Sequence, residues 1–393
     1  MTRMLNLKDL SPEVLLIFEL LKEQNEQSIQ INTKRLCENI NWHHFLELTL
    51  HHRVFPVLYS KIKLLGENTV PLFVAESLRQ YYKNNTFRML QLSAEMEQVS
   101  ILFSAQQIKA LFLKGPVLAQ DLYGDISLRT SSDIDFIVPI QSLEEAEELL
   151  VRRGYQKDDY IETVLEDWRW RHHHVTYFHP EKKIKLEIHW RMHPGPGREP
   201  TFQELWKRKR QSSLTGSPVY LLGKEDLFLY LISHGARHGW SRLRWLVDIQ
   251  QMMKQEINWK MVCELFKIYH NINVAGQAVI LAAQLLHSSV HEELKPLLSV
   301  KRSQQLAQEA IFYLERMVNL HTDPVPLEIS KYHARHLFSL MSAQQKCFYI
   351  LSFLHPYPED ARILPLPKRL HILYYPLRPF LWAWRKRKKP ALS

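Results

Sequence analysis

Two aspartates separated by a single residue are the part of this sequence best suited to chemistry. Asp133 and Asp135 open a run of β-branched and aromatic residues that continues to Val138, which predicts a strand. Side chains two residues apart in a strand point to the same face, so the two carboxylates should lie side by side. Neighbouring carboxylates repel each other unless a cation lies between them, and Mg²⁺ prefers such oxygen ligands together with substrate phosphates. The pair therefore predicts a magnesium site, although a D-x-D motif alone is a weak signal.

A third acidic residue lies on a second predicted strand. Residues Lys183 to Trp190 alternate between polar and apolar side chains, as a half-buried strand does. The alternation puts Glu187 and His189 on one face of that strand. This arrangement supplies the site with a third carboxylate and a histidine.

Cations and hydroxyl groups precede the aspartates. The apolar run 108–113 ends in Lys114-Gly115-Pro116, which indicates a strand that leads into a turn. Arg129 and the hydroxyls of residues 130–132 come directly before Asp133. Positive charge and hydroxyl donors at this point favour a phosphate-bearing substrate.

Glycine usage separates a turn-rich centre from helical flanks. Nine of the 11 glycines lie between Gly115 and Gly239, whereas the stretches before residue 100 and after Thr201 carry apolar residues at helical spacing. Within the centre, Ser142 begins a predicted capping box that opens a helix through Leu150. We therefore predict an α+β fold in which a small mixed sheet with helices lies between helical domains. The predicted units are an N-terminal helical domain 1–100, a catalytic core 101–200, a C-terminal helical domain 201–365 and an aromatic and basic tail 366–393.

The positive charge of the chain is concentrated. The 393 residues carry a formal net charge of +10, and nine positive charges lie in the runs Lys207–Arg210 and Arg385–Lys389. Because the remainder is near neutral, we expect no stable nucleic-acid complex. The first run is predicted to be a solvated helix end. The second follows aromatic residues, which favours either packing on the helical domain or weak contact with a membrane surface or an anionic partner.

The cellular compartment is predicted from what the sequence lacks. The three cysteines are widely separated and form no C-x-x-C pair, which argues against a disulfide framework. The first residues contain no long apolar segment, and no run of 18 apolar residues occurs elsewhere. These features predict a cytoplasmic protein.

Several histidines have two interpretations each. His172 and His174 would share one face of a strand and could bind a metal, but exposed or hydrogen-bonded histidines are the commoner case. His234 and His238 are four residues apart, and Gly235 is expected to interrupt the helix that carries them. They are predicted either to pack beside neighbouring tryptophans or to contact a substrate.

Two further predictions concern the C-terminal half. Asp248 is expected to form an ion pair with Arg244, which lies four residues earlier on the same helix. Pro376 and Pro379 are expected to prevent a regular helix in the aromatic tail.

The motifs, taken in chain order, resemble one enzyme superfamily. They are Leu113-Lys114-Gly115, Leu122-Tyr123, Arg129, Asp133-Ile134-Asp135, Gly154-Tyr155 and Glu187-Ile188-His189-Trp190, with looser agreement at His234, His238, Trp245 and Asp248. This set resembles the nucleotidyltransferases of the DNA polymerase β-like superfamily, and most closely a bacterial branch with members in lasso-peptide gene clusters. The resemblance implies a minimal polymerase β-like core, flanked by helices, in a natural-product pathway. The implied reaction transfers a nucleoside monophosphate from an NTP, with ATP favoured, to a hydroxyl-bearing small molecule or peptide.

The resemblance also implies a role for each matching residue. Asp133 and Asp135 would hold two Mg²⁺ ions, and Glu187 would share one of them and could accept the proton of the attacking hydroxyl. Gly115 would let backbone amides approach the triphosphate. The remaining implied contacts are to the nucleotide, from Lys114, Arg129, Ser131 and Ser132, and to the substrate, from His189, His234 and His238.

One departure from the superfamily pattern keeps an alternative open. The usual turn is Gly-Ser, but here Gly115 is followed by Pro116, which has no amide hydrogen to donate. This favours, as the alternative, a catalytically weak nucleotide- or peptide-binding accessory protein. A sugar-nucleotide glycosyltransferase with a D-x-D motif is less favoured, because that fold needs a βαβ unit where residues 1–100 look helical.

Overall fold

The chain begins with five helices. The computed structural model describes residues 4–65, 69–158, 161–195, 197–320, 322 and 324–388. The first helix starts at Pro12 because the Ser11 hydroxyl accepts a hydrogen bond from the amide of Val14. The five helices are α1 (Pro12–Leu21), α2 (Glu26–Cys37), α3 (Trp42–His51), α4 (Phe55–Lys63) and α5 (Leu72–Ala105). The predicted domain boundary at residue 100 falls inside the last of these helices.

A mixed sheet of seven strands forms the centre of the molecule, as the sequence predicts for an α+β fold. The strands are β1 (Leu111–Phe112), β2 (Asp133–Ile137), β3 (Gln156–Lys157), β4 (His174–His179), β5 (Ile184–His189), β6 (Arg210–Gln211) and β7 (Tyr220–Leu221). Their order in the sheet is β3-β4-β5-β2-β1-β7-β6. The pairs β2–β5 and β1–β7 are parallel, and the other pairs are antiparallel. Four helices connect these strands: α6 (Pro116–Tyr123), α7 (Leu143–Arg152), α8 (Trp168–Arg171) and α9 (Phe202–Lys207).

The remainder of the described chain is helical. Its elements are α10 (Lys224–Arg237), α11 (Leu243–Met253), α12 (Trp259–Ile268), α13 (Ile272–Leu286), α14 (Lys295–Leu298), α15 (Lys301–Glu315), α16 (Leu327–Leu340), α17 (Ala343–Ser352), α18 (Pro358–Ile363) and α19 (Tyr374–Lys388). Among the helices that the structure describes, none combines the length and the apolar character needed to cross a membrane.

Two hydrophobic cores hold the fold together. The first, which we call the flank core, joins helices from both ends of the chain, including α1 and α13. Near the first helix, the amides of Leu5 and Asn6 donate to the side-chain oxygens of Gln284 and Gln308, each at 2.8 Å. The second, the sheet core, lies between the strands and the C-terminal half of α5. The helix α5 therefore contributes side chains to both cores.

Two predictions about helix ends are wrong. Ser142 precedes α7 but makes no side-chain capping bond, because its backbone (φ −95°, ψ 3°) is not extended as a capping residue requires. Gly235 does not interrupt its helix, since α10 continues through it to Arg237. Glycine is needed there for another reason: an added Cβ would lie 2.3 Å from the ring of Trp240.

The first basic run is not simply solvated. Lys207 ends α9, but Arg208 pairs with Asp226 at 2.7 Å and Arg210 pairs with Asp121. This segment, which was predicted to be an exposed helix end, therefore links the edge strand β6 and its neighbouring residues to α6 and α10.

The C-terminal aromatic segment also differs from its prediction. Helix α19 runs across Pro376 and Pro379, and the first proline is tolerated because it lies in the first turn. The guanidinium of Arg378 donates to both carboxylate oxygens of the buried Asp360 at 2.9 and 2.8 Å, which fixes the helix to α18. Of the second basic run, Lys389 lies outside the described residues.

Candidate active site

The parallel pairing of β2 and β5 brings the predicted carboxylates together. In this register Asp135 lies opposite Glu187, and Asp133 lies opposite Lys185. Partners across parallel strands project to the same face, so the three acidic side chains share one face of the sheet. The same face carries His189, two residues after Glu187.

Asp135 is the most enclosed of the three acids. It is completely buried, and its Oδ1 lies 3.0 Å from Nζ of Lys114 and 3.4 Å from Nε2 of His189. Its second oxygen, Oδ2, is buried without a hydrogen-bond partner in the described part of the chain. Glu187 lies next to it, with Oε1 2.9 Å from Nζ of Lys185 and Oε2 3.6 Å from Nε2 of His189.

Burial and neighbouring charges shift the pKa values of these groups in different directions. Burial raises the pKa of Asp135, against the opposing charge of Lys114. Burial also acts to raise the pKa of Glu187, but the hydrogen bond from His189 and the charge of Lys114 outweigh it, so the pKa lies well below its usual range. Burial would lower the pKa of His189, yet its bonds to Asp135 and Glu187 raise it. Glu187 is therefore ionised at neutral pH. With its lowered pKa it is better suited to bind a cation than to accept a proton.

The Lys114-Gly115-Pro116 turn lies directly beside the acids. The amide of Leu113 donates to the carbonyl of Asp135 at 2.9 Å. This bond places the next residue, Lys114, beside the acids. Gly115 has φ +86°, a conformation that other residues adopt only with strain, and Pro116 is the first residue of α6. An added Cβ at Gly115 would have room, 3.6 Å from the Asp133 carbonyl, so the backbone conformation is what requires glycine.

Arg129 forms a buried ion pair beside the acids. It is 1% exposed, and its Nε and Nη2 donate to the Asp248 carboxylate at 3.0 Å each. Tyr123 donates to the same carboxylate at 2.8 Å. With these bonds formed, the guanidinium holds α11 against the segment before β2. Arg129 also lines the cleft, and its implied contact to the nucleotide stays a prediction. The predicted Asp248–Arg244 ion pair is wrong, because Arg244 donates to the carbonyl and hydroxyl of Thr130.

The two serines lie at the edge of the same cleft. Ser131 donates from its hydroxyl to the Asp133 carbonyl at 3.0 Å, and Ser132 is exposed. Both line the cleft together with Asp133. They are therefore near the acids, with the Ser132 side chain the more accessible.

Asp133 and Glu187 line a cleft with a volume of about 520 Å³ whose walls are rich in cations, and the buried Asp135 contacts the cleft residues Lys114 and His189. Lys114 and Lys185 come from the sheet region, whereas Arg53, Arg237 and Arg242 come from distant helical parts of the chain. Burial lowers the pKa of Arg242 to about 10, which leaves it protonated at neutral pH. So many cations around three carboxylates suit a ligand with several negative charges.

The histidines group differently from the expectation. His172 precedes β4 rather than sharing a strand face with His174, and the three histidines whose ring nitrogens lie within 4.8 Å of one another are His173, His174 and His189. Burial lowers the pKa of His174 to about 4, so this imidazole is neutral at pH 7. His234 and His238 contact Trp245, with ring centroids 5.6 and 5.1 Å away, which confirms packing beside a tryptophan. Both also line the cleft, and their contact with the acceptor or the nucleotide stays a prediction.

The residues that could hold a metal are Asp135, Glu187 and His189, whose ligand atoms lie within 4.8 Å of one another, and the neighbouring Asp133. The carboxylates are oxygen donors of the kind that Mg²⁺ prefers, and the unpartnered Oδ2 of Asp135 is a ready ligand atom. The three carboxylates therefore fit a magnesium ion, whereas the His189 nitrogen is not a ligand that Mg²⁺ prefers.

Comparison with known proteins adds one finding. Residues 38–287, well over half of the chain, match a family described as "Uncharacterised nucleotidyltransferase". Neither the curated proteins nor the solved structures contain a significant match.

Proposed function

Because the chain belongs to this family of uncharacterised nucleotidyltransferases, we propose that it transfers a nucleoside monophosphate from an NTP to the hydroxyl group of an acceptor, with Mg²⁺ as cofactor. The observation that carries the proposal is the alignment of Asp133, Asp135 and Glu187 on one face of two parallel strands. The cation-rich walls of the cleft above them support a triphosphate as the co-substrate.

Each acid has a separate task in the proposed reaction. Asp133 and Asp135 bind the metal, and Glu187 supplies the third carboxylate, in keeping with its lowered pKa. When bound, Mg²⁺ supplies charge neutralisation on the departing pyrophosphate and activation of the attacking hydroxyl, with two ions in the proposed scheme.

The cations act on the nucleotide. Lys114 and Lys185 each neutralise one carboxylate now, and both can turn toward a phosphate once a metal takes over that charge. The Gly115 turn brings the backbone close to the same point. Arg53 and Arg242, from the opposite wall, would contact the distal phosphates.

The test compares nucleotide binding with and without Mg²⁺. We expect calorimetry on the unaltered chain to give an ATP affinity that Mg²⁺ strengthens at least tenfold. The Asp133→Asn/Asp135→Asn variant should lose this increment and any transfer of label from α-labelled ATP. Asp158→Asn, at an exposed position beyond β3, is the matched control and should behave like the parent.

Two results would count against the proposal. An equal Mg²⁺ increment in the double asparagine variant would refute the acids as the metal site. Tight Mg²⁺-dependent binding without transfer to any of a broad panel of hydroxyl acceptors would favour the accessory nucleotide-binding protein, for which the missing amide hydrogen at Pro116 is the supporting observation.

A further inference from the structure

A second cavity lies against the cleft. Its volume is about 390 Å³, within the range that binds compact organic molecules, and it lies between α10, α13, α16, α17 and the segment after β5. Arg237 lines both this cavity and the cleft. His193 lines the cavity and stacks on Tyr230, a cleft residue, with ring centroids 5.8 Å apart. The two spaces are therefore separated by little more than these side chains.

The walls of the cavity are mainly apolar and include several rings. Trp170, Tyr349 and Phe353 supply aromatic surface, and Val274 and Leu340 supply aliphatic surface. Aromatic walls favour a ligand with a ring body, because rings pack face to face or edge to face over a large area.

Three buried polar atoms on residues that line the cavity have no partner. The Oγ of Ser233, the Nε2 of His193 and the Nη2 of Arg171 make no hydrogen bond in the part of the chain that the structure describes. A buried polar atom without a hydrogen-bond partner destabilises the fold, so a ligand group that supplies the partner is favoured. Burial and the charge of Arg237 lower the pKa of His193, so its ring is neutral. A ligand hydroxyl that reaches the Ser233 Oγ or the His193 Nε2 would supply the missing hydrogen-bond partner.

Arg237 is the cation at the junction. Its nearest side-chain partner is Nε2 of His173, at 3.4 and 3.5 Å, and within the described ranges no carboxylate lies close enough to form an ion pair with it. The other buried arginines of the wall differ, since Arg171 pairs with Asp167 and Arg191 with Glu199. Arg237 can therefore stabilise negative charge on an oxygen placed between the two spaces.

We propose that this cavity binds the acceptor, and that the acceptor is an alcohol or phenol with an apolar, ring-bearing body. This inference rests on the proposed function. The body lies among the rings, and the hydroxyl lies at the Ser233–His193–Arg237 end, which faces the cleft. There the acceptor oxygen forms a bond to the α-phosphorus, the bond from that phosphorus to the bridging oxygen breaks, pyrophosphate leaves, and the hydroxyl proton passes to water.

The probe is 2-naphthol, a fluorescent two-ring compound with one hydroxyl. We expect saturable binding that Phe353→Ala weakens at least fivefold. Phe348→Ala is the matched control, because Phe348 lies on α17, is about as exposed (40% against 45%) and does not line the cavity. Ser233→Ala, which removes one oxygen, should weaken binding about threefold, as the loss of one hydrogen bond predicts.

The outcomes separate the inference from the proposed function. Absent 2-naphthol binding, equal effects of the two phenylalanine variants, or displacement of 2-naphthol by Mg²⁺·ATP would each overturn the inference, because transfer needs both ligands bound together. If thermal denaturation indicates that Phe353→Ala does not fold, the Ser233→Ala titration decides, and unchanged affinity overturns the inference. If Mg²⁺·ATP fails to bind while 2-naphthol binding depends on Phe353, the transferase proposal fails and the cavity remains a ring-alcohol site.

Discussion

The ion pair between Arg129 and Asp248 should control how firmly the acidic strand is held. We predict that Asp248→Asn lowers the free energy of unfolding by about 4 kcal/mol. The side chains are 1% and 0% exposed, and both carboxylate oxygens accept bonds from the guanidinium at 3.0–3.2 Å. Asparagine keeps an acceptor for the Tyr123 hydroxyl but removes the charge, which leaves a buried cation uncompensated. Arg244 lies near enough for the charge of Arg129 to lower its pKa, in addition to the larger effect of burial. This neighbour is a second cation, so it cannot compensate the charge of Arg129 once Asp248 is replaced.

Urea denaturation monitored by circular dichroism measures this loss. The control is Arg129→Met/Asp248→Leu, which replaces both charges by apolar groups and should recover at least half of the loss, since a buried pair is often neutral against apolar residues of similar size. The reasoning is refuted if Asp248→Asn costs less than about 1 kcal/mol, or if the double variant loses as much as its two single changes together. The same double variant also tests the implied phosphate contact of Arg129: an unchanged affinity for Mg²⁺·ATP would refute that contact, and a tenfold loss would support it.

Two further predictions concern packing away from the acids. Gly235→Ala should lower the free energy of unfolding by about 1–3 kcal/mol in the same urea assay, because the new methyl would meet the Trp240 ring at 2.3 Å and force it to move. Asp360→Ala should increase the rate at which trypsin cleaves within α19, since Arg378 loses its buried partner and the helix detaches from α18.

Each of these has an internal control. Gly216→Ala places its methyl 3.6 Å from a Glu97 oxygen, an ordinary contact, and should cost clearly less than Gly235→Ala. Glu359→Ala removes only a half-exposed partner of Arg385 and should leave the trypsin pattern unchanged. Equal decreases in the free energy of unfolding for Gly235→Ala and Gly216→Ala would contradict the packing argument. Equal rates of tryptic cleavage for Asp360→Ala and Glu359→Ala would also contradict it.

The meeting of the carboxylates was predictable because it depends on short-range periodicity. Alternation identifies β2 and β5, and strand geometry then puts Asp133 beside Asp135 and Glu187 beside His189. The same alternation places Lys185 on the acidic face, so this contact could have been found from the sequence. What the sequence could not supply was the parallel pairing of the two strands across the 46 intervening residues that holds Asp135 against Glu187.

The cations that line the cleft walls could not be predicted in the same way. Arg53 lies in the loop before α4, and Arg237 and Arg242 lie around the end of α10, so only the packing of the flank core brings them to the cleft. No local pattern marks them. Arg129 was identified, but its partner could not be, because Asp248 lies on a helix more than 100 residues later. The resemblance to a family identified residues that line the cleft more readily than the atoms that they contact.

The attachment of the first helices to late helices bears on how the chain reaches its fold during synthesis. The apolar face of α1 meets α13, and the Leu5 amide meets Gln284, nearly 280 residues later. At a ribosomal rate of about 5–20 residues per second, those late partners emerge roughly 15–60 seconds after the first helix. During that interval, part of an apolar surface that is buried in the finished protein faces solvent, and the sheet can pair before the flank core closes. Chaperone binding to the nascent chain should therefore concentrate on its first helices and end when α13 and α15 have left the ribosome.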